Sequence, residues 1–169
     1  MILGKFKAVQ IAKLNQIKLQ YKDNARVQEI IDLYLIPKLQ SLKTHALPDY
    51  VFTLYLASRE FSVFEDLVPS EQEVENLVKE KNRLYYLKAK FMAKLMWMRR
   101  ELKQKYREKA IEIENIVFEL ASKLANLRRH MLTDYLFAVT LACKVFNEFC
   151  QLIPSEQEIR QVFTVPLDE

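Results

Sequence analysis

Two stretches of this chain have nearly the same sequence and begin 85 positions apart. Residues 67–78 read LVPSEQEVENLV, and residues 152–163 read LIPSEQEIRQVF. The likeness extends beyond them, because residues 45–73 match residues 130–158 at 15 of 29 positions without a gap. Across the full overlay 27 of 84 positions are identical, which is well above a chance match.

This repeat predicts two tandem, similar units, residues 1–85 and 86–169, packed together as one globular domain. The chain has 169 residues but only one glycine, Gly4. Tight turns and left-handed helix ends favour glycine, so a chain with one glycine is expected to form long helices with few connections. The fold class is therefore predicted to be all-α, a helical bundle built from two four-helix units of about 85 residues.

Helix positions follow from the apolar spacing. In the first unit we expect helices at about 4–22, 25–45 and 48–66, and a fourth that starts at Ser70. In the second unit the matching helices are expected at about 84–107, 109–130 and 133–151, with a fourth that starts at Ser155.

The repeated PSEQE segment is typical of a helix start. Ser70 with Glu73, and Ser155 with Glu158, fit the S-x-x-E capping box, in which the serine and the glutamate each bind a free backbone amide. The sequence between the first of these serines and Leu132 contains neither proline nor glycine. It therefore predicts a long helix of about 35 residues, roughly 50 Å, that spans the join between the units.

The two cysteines, Cys143 and Cys150, lie seven residues apart in one predicted helix. That spacing separates their Cα atoms by about 10 Å, which is too far for an intramolecular disulfide. We therefore expect buried thiols in a reducing cytoplasm. No signal peptide and no apolar run of transmembrane length is visible in the sequence, which also indicates a cytoplasmic protein.

Charge is distributed unevenly along the chain, although the formal net charge is only +4. Residues 1–22 contain five lysines and no acid, and residues 86–107 contain eight basic residues and one acid. These basic first helices have three interpretations: a solvated face that pairs with acidic helices of the same protein, a nucleic-acid surface, or a surface for an acidic protein or an anionic membrane.

The candidate polyanion-binding residues are the basic side chains of the helix that opens the second unit: Lys88, Lys90, Lys94, Arg99, Arg100, Lys103, Lys105 and Arg107. Three aromatic residues among or near them, Tyr85, Tyr86 and Trp97, are candidates for base stacking or for contact with a partner.

No sequence motif indicates catalysis. The chain has no glycine-rich phosphate loop and no C-x-x-C, H-E-x-x-H or G-x-S-x-G motif. The pairs His45/Asp49 and His130/Asp134 would offer metal ligands if the two corners came together. Helix-end positions explain these pairs more simply. We therefore expect no enzyme activity, catalytic residue, cofactor or bound metal.

The sequence thus predicts a non-enzymatic helical interaction or scaffold protein, an accessory subunit of a larger complex with a protein partner. Exposed Trp97, Met92 or Met96 would favour this hypothesis. The alternative is a nucleic-acid-associated accessory subunit of a replication, repair or RNA-guided defence type. Such a subunit would bind the DNA or RNA backbone through the basic first helices. The sequence is also compatible with a homo-oligomer.

Overall fold

The computed structural model describes residues 2–78 and 83–164, and every regular element in these ranges is helical, which confirms the all-α prediction. The α-helices are α1 Ile2–Gln20, α2 Ala25–Glu29, α3 Ile36–Gln40, α4 Leu47–Glu60, α5 Glu71–Val78, α6 Arg83–Lys105, α7 Ala110–Ala125, α8 Leu132–Val145 and α9 Glu156–Thr164. The π-helical segment Ile30–Leu35 joins α2 to α3. None of the helices in the described ranges is long and apolar enough to cross a membrane.

Elements in the two halves of the chain begin at positions that differ by 85. The helices α4 and α8, and the helices α5 and α9, are offset in this way. Residues 25–40, which contain α2, the π-helical segment and α3, match residues 110–125, which form α7. Short 3₁₀ segments at the corners are offset likewise: Thr44–Ala46 with Arg129–Met131, and Ser62–Leu67 with Asn147–Leu152.

The π-helical segment is one point at which the halves differ. Pro37 lies two residues after its last residue, Leu35, whereas the matching position in α7 is Ser122. A proline has no amide hydrogen to donate to the preceding turn, and its ring crowds the carbonyl four residues before it. A wider helical turn before Pro37 relieves that crowding. Residues 25–40 are therefore interrupted by a π-helical segment, whereas the matching residues of the second half form the regular α-helix α7.

The predicted capping boxes are confirmed in both halves. The amide of Glu73 donates to Ser70 Oγ at 3.1 Å, and the amide of Ser70 donates to Glu73 Oε1 at 3.1 Å. The same two bonds between Ser155 and Glu158 measure 3.1 and 2.9 Å. The PSEQE segment therefore marks the same helix start twice.

The prediction that the third helix of each unit runs over 48–66 and 133–151 is wrong, because α4 and α8 both end earlier. The next residues, Phe61 and Phe146, are extended, with φ/ψ of −140°/114° and −132°/113°. A 3₁₀ segment then folds back. The apolar pattern continues through this corner because Phe64 and Phe149 return to the core and are fully buried.

The prediction of one long helix across the join is also wrong. Glu71 at the start of α5 lies beside α6, with its Oε1 3.7 Å from Lys90 Nζ. In a continuous helix these residues would be about 28 Å apart along the axis. The fold-back buries the apolar face of α5, formed by Val74, Leu77 and Val78. Residues 79–82, where the predicted helix would continue, lie outside the described residues.

A single cluster of buried side chains includes residues from both halves. Its largest fully buried members are aromatic: Tyr50, Tyr55, Phe64, Phe91, Tyr135 and Phe149. The helix α6 packs against α4 and α5 of the first half as well as α7 and α9 of its own half. Side chains on α6 are therefore placed between the halves, and this position determines what its charges can do.

Candidate interaction surfaces

Arg99 on α6, one of the candidate polyanion-binding residues, is buried, with 5% of its surface exposed. Its Nε donates to Glu114 Oε1 at 2.5 Å, and its Nη1 donates to Glu65 Oε1 at 3.2 Å and to Ser58 Oγ at 3.3 Å. The guanidinium carbon also lies 5.8 Å from the centre of the Tyr55 ring. Arg99 therefore links α4, α6, α7 and the Ser62–Leu67 segment.

Two other cations of α6, which are less buried than Arg99, join this cluster. Lys103 Nζ donates to Glu114 Oε1 at 2.7 Å, and Arg100 Nε lies 3.8 Å from Glu65 Oε2. Burial alone would raise the pKa of Glu114, but the hydrogen bonds from Lys103 and Arg99 outweigh it and lower the pKa. The carboxylate is therefore held in its ionised form, as a buried ion pair requires.

Two further basic residues of α6 pair with the second half. Lys90 Nζ donates to Glu158 Oε2 at 2.9 Å, and Lys105 Nζ donates to Glu148 Oε2 at 2.9 Å. With Arg99 and Lys103, four of the eight candidate residues thus hydrogen-bond to the protein's own carboxylates. This arrangement is the one expected if the basic helix neutralises acidic parts of the same fold. Polyanion binding by the set stays a prediction.

The remaining candidates are spread over different surfaces. Arg107 is exposed in the Arg107–Lys109 segment, and Arg100 is exposed on α6. Lys94 and Trp97 line a groove of about 230 Å³ whose wall also contains Glu71 and Glu101. Acidic side chains in that wall oppose binding of a phosphate backbone.

Tyr85 and Lys88 are brought together in a second groove, of about 460 Å³. Lys88 Nζ lies 5.9 Å from the centre of the Tyr85 ring, and Arg128 from the α7–α8 connection lines the same groove. Among the described residues that line it, none is acidic. Tyr85 and Lys88 thus place an aromatic ring beside cations in one groove, as a surface that stacks bases requires.

The other aromatic and methionine candidates have different surroundings. Tyr86 is half-buried, and Arg83 and Lys90 lie 5.5 and 5.9 Å from its ring centre. Trp97 is 37% exposed. Met92 and Met96 are buried in the core, so neither adds to an exposed interface.

Each aspartate of the His/Asp corners binds a lysine on the preceding helix. Lys38 Nζ donates to Asp49 Oδ2 at 2.6 Å, and Lys123 Nζ donates to Asp134 Oδ2 at 2.7 Å. The described ranges contain no group of three or more His, Cys, Asp or Glu residues placed to hold a metal ion. The two ion pairs hold the corner between the second and third helices of each half.

An exposed apolar surface on α8 was missed by the sequence reasoning. Phe137, Leu141 and Val145 are 67%, 62% and 49% exposed. Their spacing of four residues places them on one face over successive turns, and we call them the α8 strip. The i, i+4, i+8 spacing was visible in the sequence, but α8 contains apolar residues on most of its faces. The periodicity of apolar residues alone therefore did not predict which face of α8 is exposed to solvent.

In the first half the counterparts of Phe137 and Leu141 are also apolar, Phe52 and Leu56, but the place that matches the end of the strip at Val145 carries a salt bridge. There Arg26 binds Glu60 through two hydrogen bonds, of 2.8 and 2.9 Å. The residues 85 positions later are Ile111, which is 80% exposed, and Val145. A polar, solvated pair in one half therefore corresponds to two exposed apolar residues in the other.

The prediction that both cysteines lie on one helix is wrong, and so is the prediction that both thiols are buried, because Cys150 is exposed. Cys143 lies in the last turn of α8, and Cys150 lies in the Asn147–Leu152 segment that folds back after Phe146. The Cys150 thiol donates to Asn147 Oδ1 at 3.7 Å. Burial is the largest cause that raises the pKa of Cys143 to about 12, and a side-chain hydrogen bond between Cys143 and the Cys150 sulfur adds to it. The two thiol groups are therefore neighbours.

Neither a family model, nor a curated protein, nor a solved structure matches this chain.

Proposed function

We propose that this chain is a non-enzymatic helical interaction or scaffold protein that acts in the cytoplasm as an accessory subunit of a larger complex. The observation that carries the proposal is the α8 strip, together with Ile111, whose counterpart Arg26 hydrogen-bonds to Glu60, the counterpart of Val145. A soluble protein exposes single apolar side chains everywhere, but a contiguous group of large ones is typical of a binding surface.

The free energy available from this surface is sufficient for specific binding. Fully burying one large aliphatic or aromatic side chain contributes about 1.5–3 kcal/mol, and these four residues are half to four-fifths exposed. Covering them would contribute roughly 4–8 kcal/mol before the entropic cost of association. A few such anchors usually dominate an interface.

The first half indicates what kind of partner fits. There α4 is covered by α6, and Tyr55 at their contact is fully buried. The matching residue of α8, Thr140, is exposed. Since α6 does not cover α8 as it covers α4, a helical segment of another protein lying along α8 would cover Thr140 and the adjoining Phe137. Leu56, the counterpart of Leu141, stays 40% exposed in the first half, so the partner would have to reach further round α8 than α6 reaches round α4.

The same comparison supports the proposal that the chain is a tandem duplication of a four-helix unit of about 85 residues. Identical residues at the two corners form equivalent ion pairs, Lys38–Asp49 and Lys123–Asp134. Identical residues also form the two capping boxes. In this proposal the halves kept the corners and diverged at the surface that α8 presents.

The test compares capture of partners by two variants of the full chain. Replacing Phe137 and Leu141 by serine removes the strip, and Leu19→Ser removes an exposed apolar residue of α1 that is 75% exposed. We expect one protein to be retained in near-equal amount by the wild type and by Leu19→Ser, also after nuclease treatment, and lost from the double variant. Equal retention by all three would refute the proposed surface.

A second candidate function, nucleic-acid association, is favoured by the groove that contains Tyr85, Lys88 and Arg128. Aromatic rings beside cations stack on unpaired bases while the cations bind phosphate. Anisotropy of labelled single- and double-stranded DNA and RNA at 50 and 200 mM salt tests it. If the groove binds, Lys88→Gln should weaken binding and reduce its salt dependence, whereas Arg107→Gln should change both much less.

A further inference from the structure

The corner between α8 and the Asn147–Leu152 segment reverses the direction of the chain. The Phe146 amide donates to the Ala142 carbonyl at 3.0 Å, and the Ile153 amide donates to the Cys150 carbonyl at 3.2 Å. The first bond closes the last turn of α8 beside Cys143, and the second closes the 3₁₀ segment at Cys150. Both cysteine backbones are thus fixed by regular structure on either side of one extended residue.

The matching corner in the first half shows which way side chains at these two positions face. The residues 85 positions earlier are Ser58 and Glu65. Both accept hydrogen bonds from the same atom, Arg99 Nη1, at 3.3 and 3.2 Å. The two corners have helices and 3₁₀ segments of equal length and nearly the same dihedral angles at Phe61 and Phe146. Side chains at the two cysteine positions therefore face the same side of the corner, in agreement with the effect of the Cys150 sulfur on Cys143.

Exposure of the two thiols differs in a way that suits stepwise oxidation. Cys150 is exposed, whereas Cys143 is partly covered. The exposed thiol is the one that a small molecule reaches, and the covered thiol is held next to it. The oxidised product closes a ring of eight residues, which requires no movement of distant elements.

We infer that Cys143 and Cys150 form a reversible intramolecular disulfide, with a low-molecular-weight disulfide such as glutathione disulfide as the oxidant. The Cys150 thiolate attacks one sulfur of glutathione disulfide, which breaks that S–S bond and releases one glutathione thiolate. Cys143 then loses its proton and attacks the Cys150 sulfur, releasing the second glutathione. The two cysteines lose two electrons and two protons, and glutathione disulfide gains both electrons.

The second step, attack of Cys143 on the mixed disulfide, is expected to depend on pH. The thiolate is the attacking species, and burial, which persists after Cys150 has reacted, raises the pKa of Cys143 above its ordinary value. Between pH 7 and 9 only a small fraction of this thiol is ionised. The rate of ring closure should therefore increase several-fold for each pH unit.

The test treats the native full-length protein with glutathione disulfide and measures free thiols and intact mass. The wild type should become a monomer that lacks both thiols, is two hydrogens lighter and carries no glutathione. Cys143→Ser, which copies Ser58, should stop as a mixed disulfide with one glutathione on Cys150. Cys150→Ser should remain largely unmodified. If the serine variant at 143 does not fold, Cys143→Ala serves the same purpose.

Four results would overturn the inference. The wild type would keep a stable glutathione adduct like that of Cys143→Ser, or would form disulfide-linked dimers, or would retain both thiols after prolonged treatment. A disulfide that appears only with loss of the helical circular dichroism signal would overturn it as well, because the thiols are neighbours in the folded state.

Discussion

Replacing Arg99 by leucine tests whether the basic helix α6 is a structural element or a binding surface. The substitution is conservative in one respect, because Leu14 occupies the matching position of α1 and is fully buried. It removes one charge from the cluster and leaves Glu65 and Glu114 without the guanidinium between them. If Arg99 holds the halves together, the folded state should lose stability.

The size of the loss follows from the burial of the partners. Removing one partner of a buried ion pair costs about 3–5 kcal/mol. The Glu65 and Glu114 side chains retain 15% and 23% exposure, and Glu114 keeps Lys103 at 2.7 Å. These features reduce the expected cost to about 2–3 kcal/mol. For a chain of this length that loss lowers the melting temperature by about 4–12 °C.

Urea denaturation followed by circular dichroism measures this loss, and Arg107→Leu provides the matched control. Arg107 is exposed in a 3₁₀ segment, so its replacement should change the unfolding free energy by less than about 0.5 kcal/mol. The Arg99→Leu loss should persist in 1 M NaCl, because salt screens buried pairs weakly. A loss below about 1 kcal/mol, or one abolished by salt, would refute the structural role of Arg99.

Three further predictions concern polar groups in the core and at helix starts. Tyr50→Phe should lower the unfolding free energy in urea by about 1–3 kcal/mol, because the Tyr50 hydroxyl donates to buried Gln10 Oε1 at 2.6 Å. Tyr55→Phe should be nearly neutral, because among the described residues the Tyr55 hydroxyl has no hydrogen-bond partner. Equal losses in the two variants would contradict this difference. Ser70→Ala and Ser155→Ala should each cost about 1 kcal/mol, and no loss in either would show that the caps do not stabilise α5 and α9. The unfolding free energy should fall as the pH drops below about 4.5, because hydrogen bonds and charge pairing outweigh burial and lower the pKa of Glu114 and Glu158 in the folded state. The stability that these two carboxylates contribute is complete above the pKa of the unfolded chain and is lost below it. Glu114→Gln should therefore flatten the profile of unfolding free energy against pH.

Local signals in the sequence were sufficient for the helix starts and the all-α class. The capping serines and glutamates act within one turn, so Ser70 and Ser155 identify a helix start without knowledge of the rest of the fold. Helix ends were harder to predict. No proline or glycine marks Phe61 or Phe146, and the apolar pattern continues because the chain returns to the same core.

The fold-back of α5 onto α6 could not be predicted from local spacing either. Both segments form helices, and a helix-compatible sequence does not reveal whether two helices are joined end to end or packed side by side. Tertiary burial decides it, through Val74, Leu77 and Val78. The burial of Arg99 has the same origin, since its partners Glu65 and Glu114 are distant in the sequence.

Photocrosslinking from α8 tests the proposed interaction surface most directly. A photoreactive phenylalanine analogue placed at Phe137 or at Leu141 reports which molecule covers the strip in the cell, and the same analogue at exposed Gln104 of α6 is the control. We expect both strip positions to give one nuclease-resistant adduct with a single protein, and the control position to give none. Absence of an adduct at both strip positions, or an adduct with nucleic acid there, would contradict the interaction function.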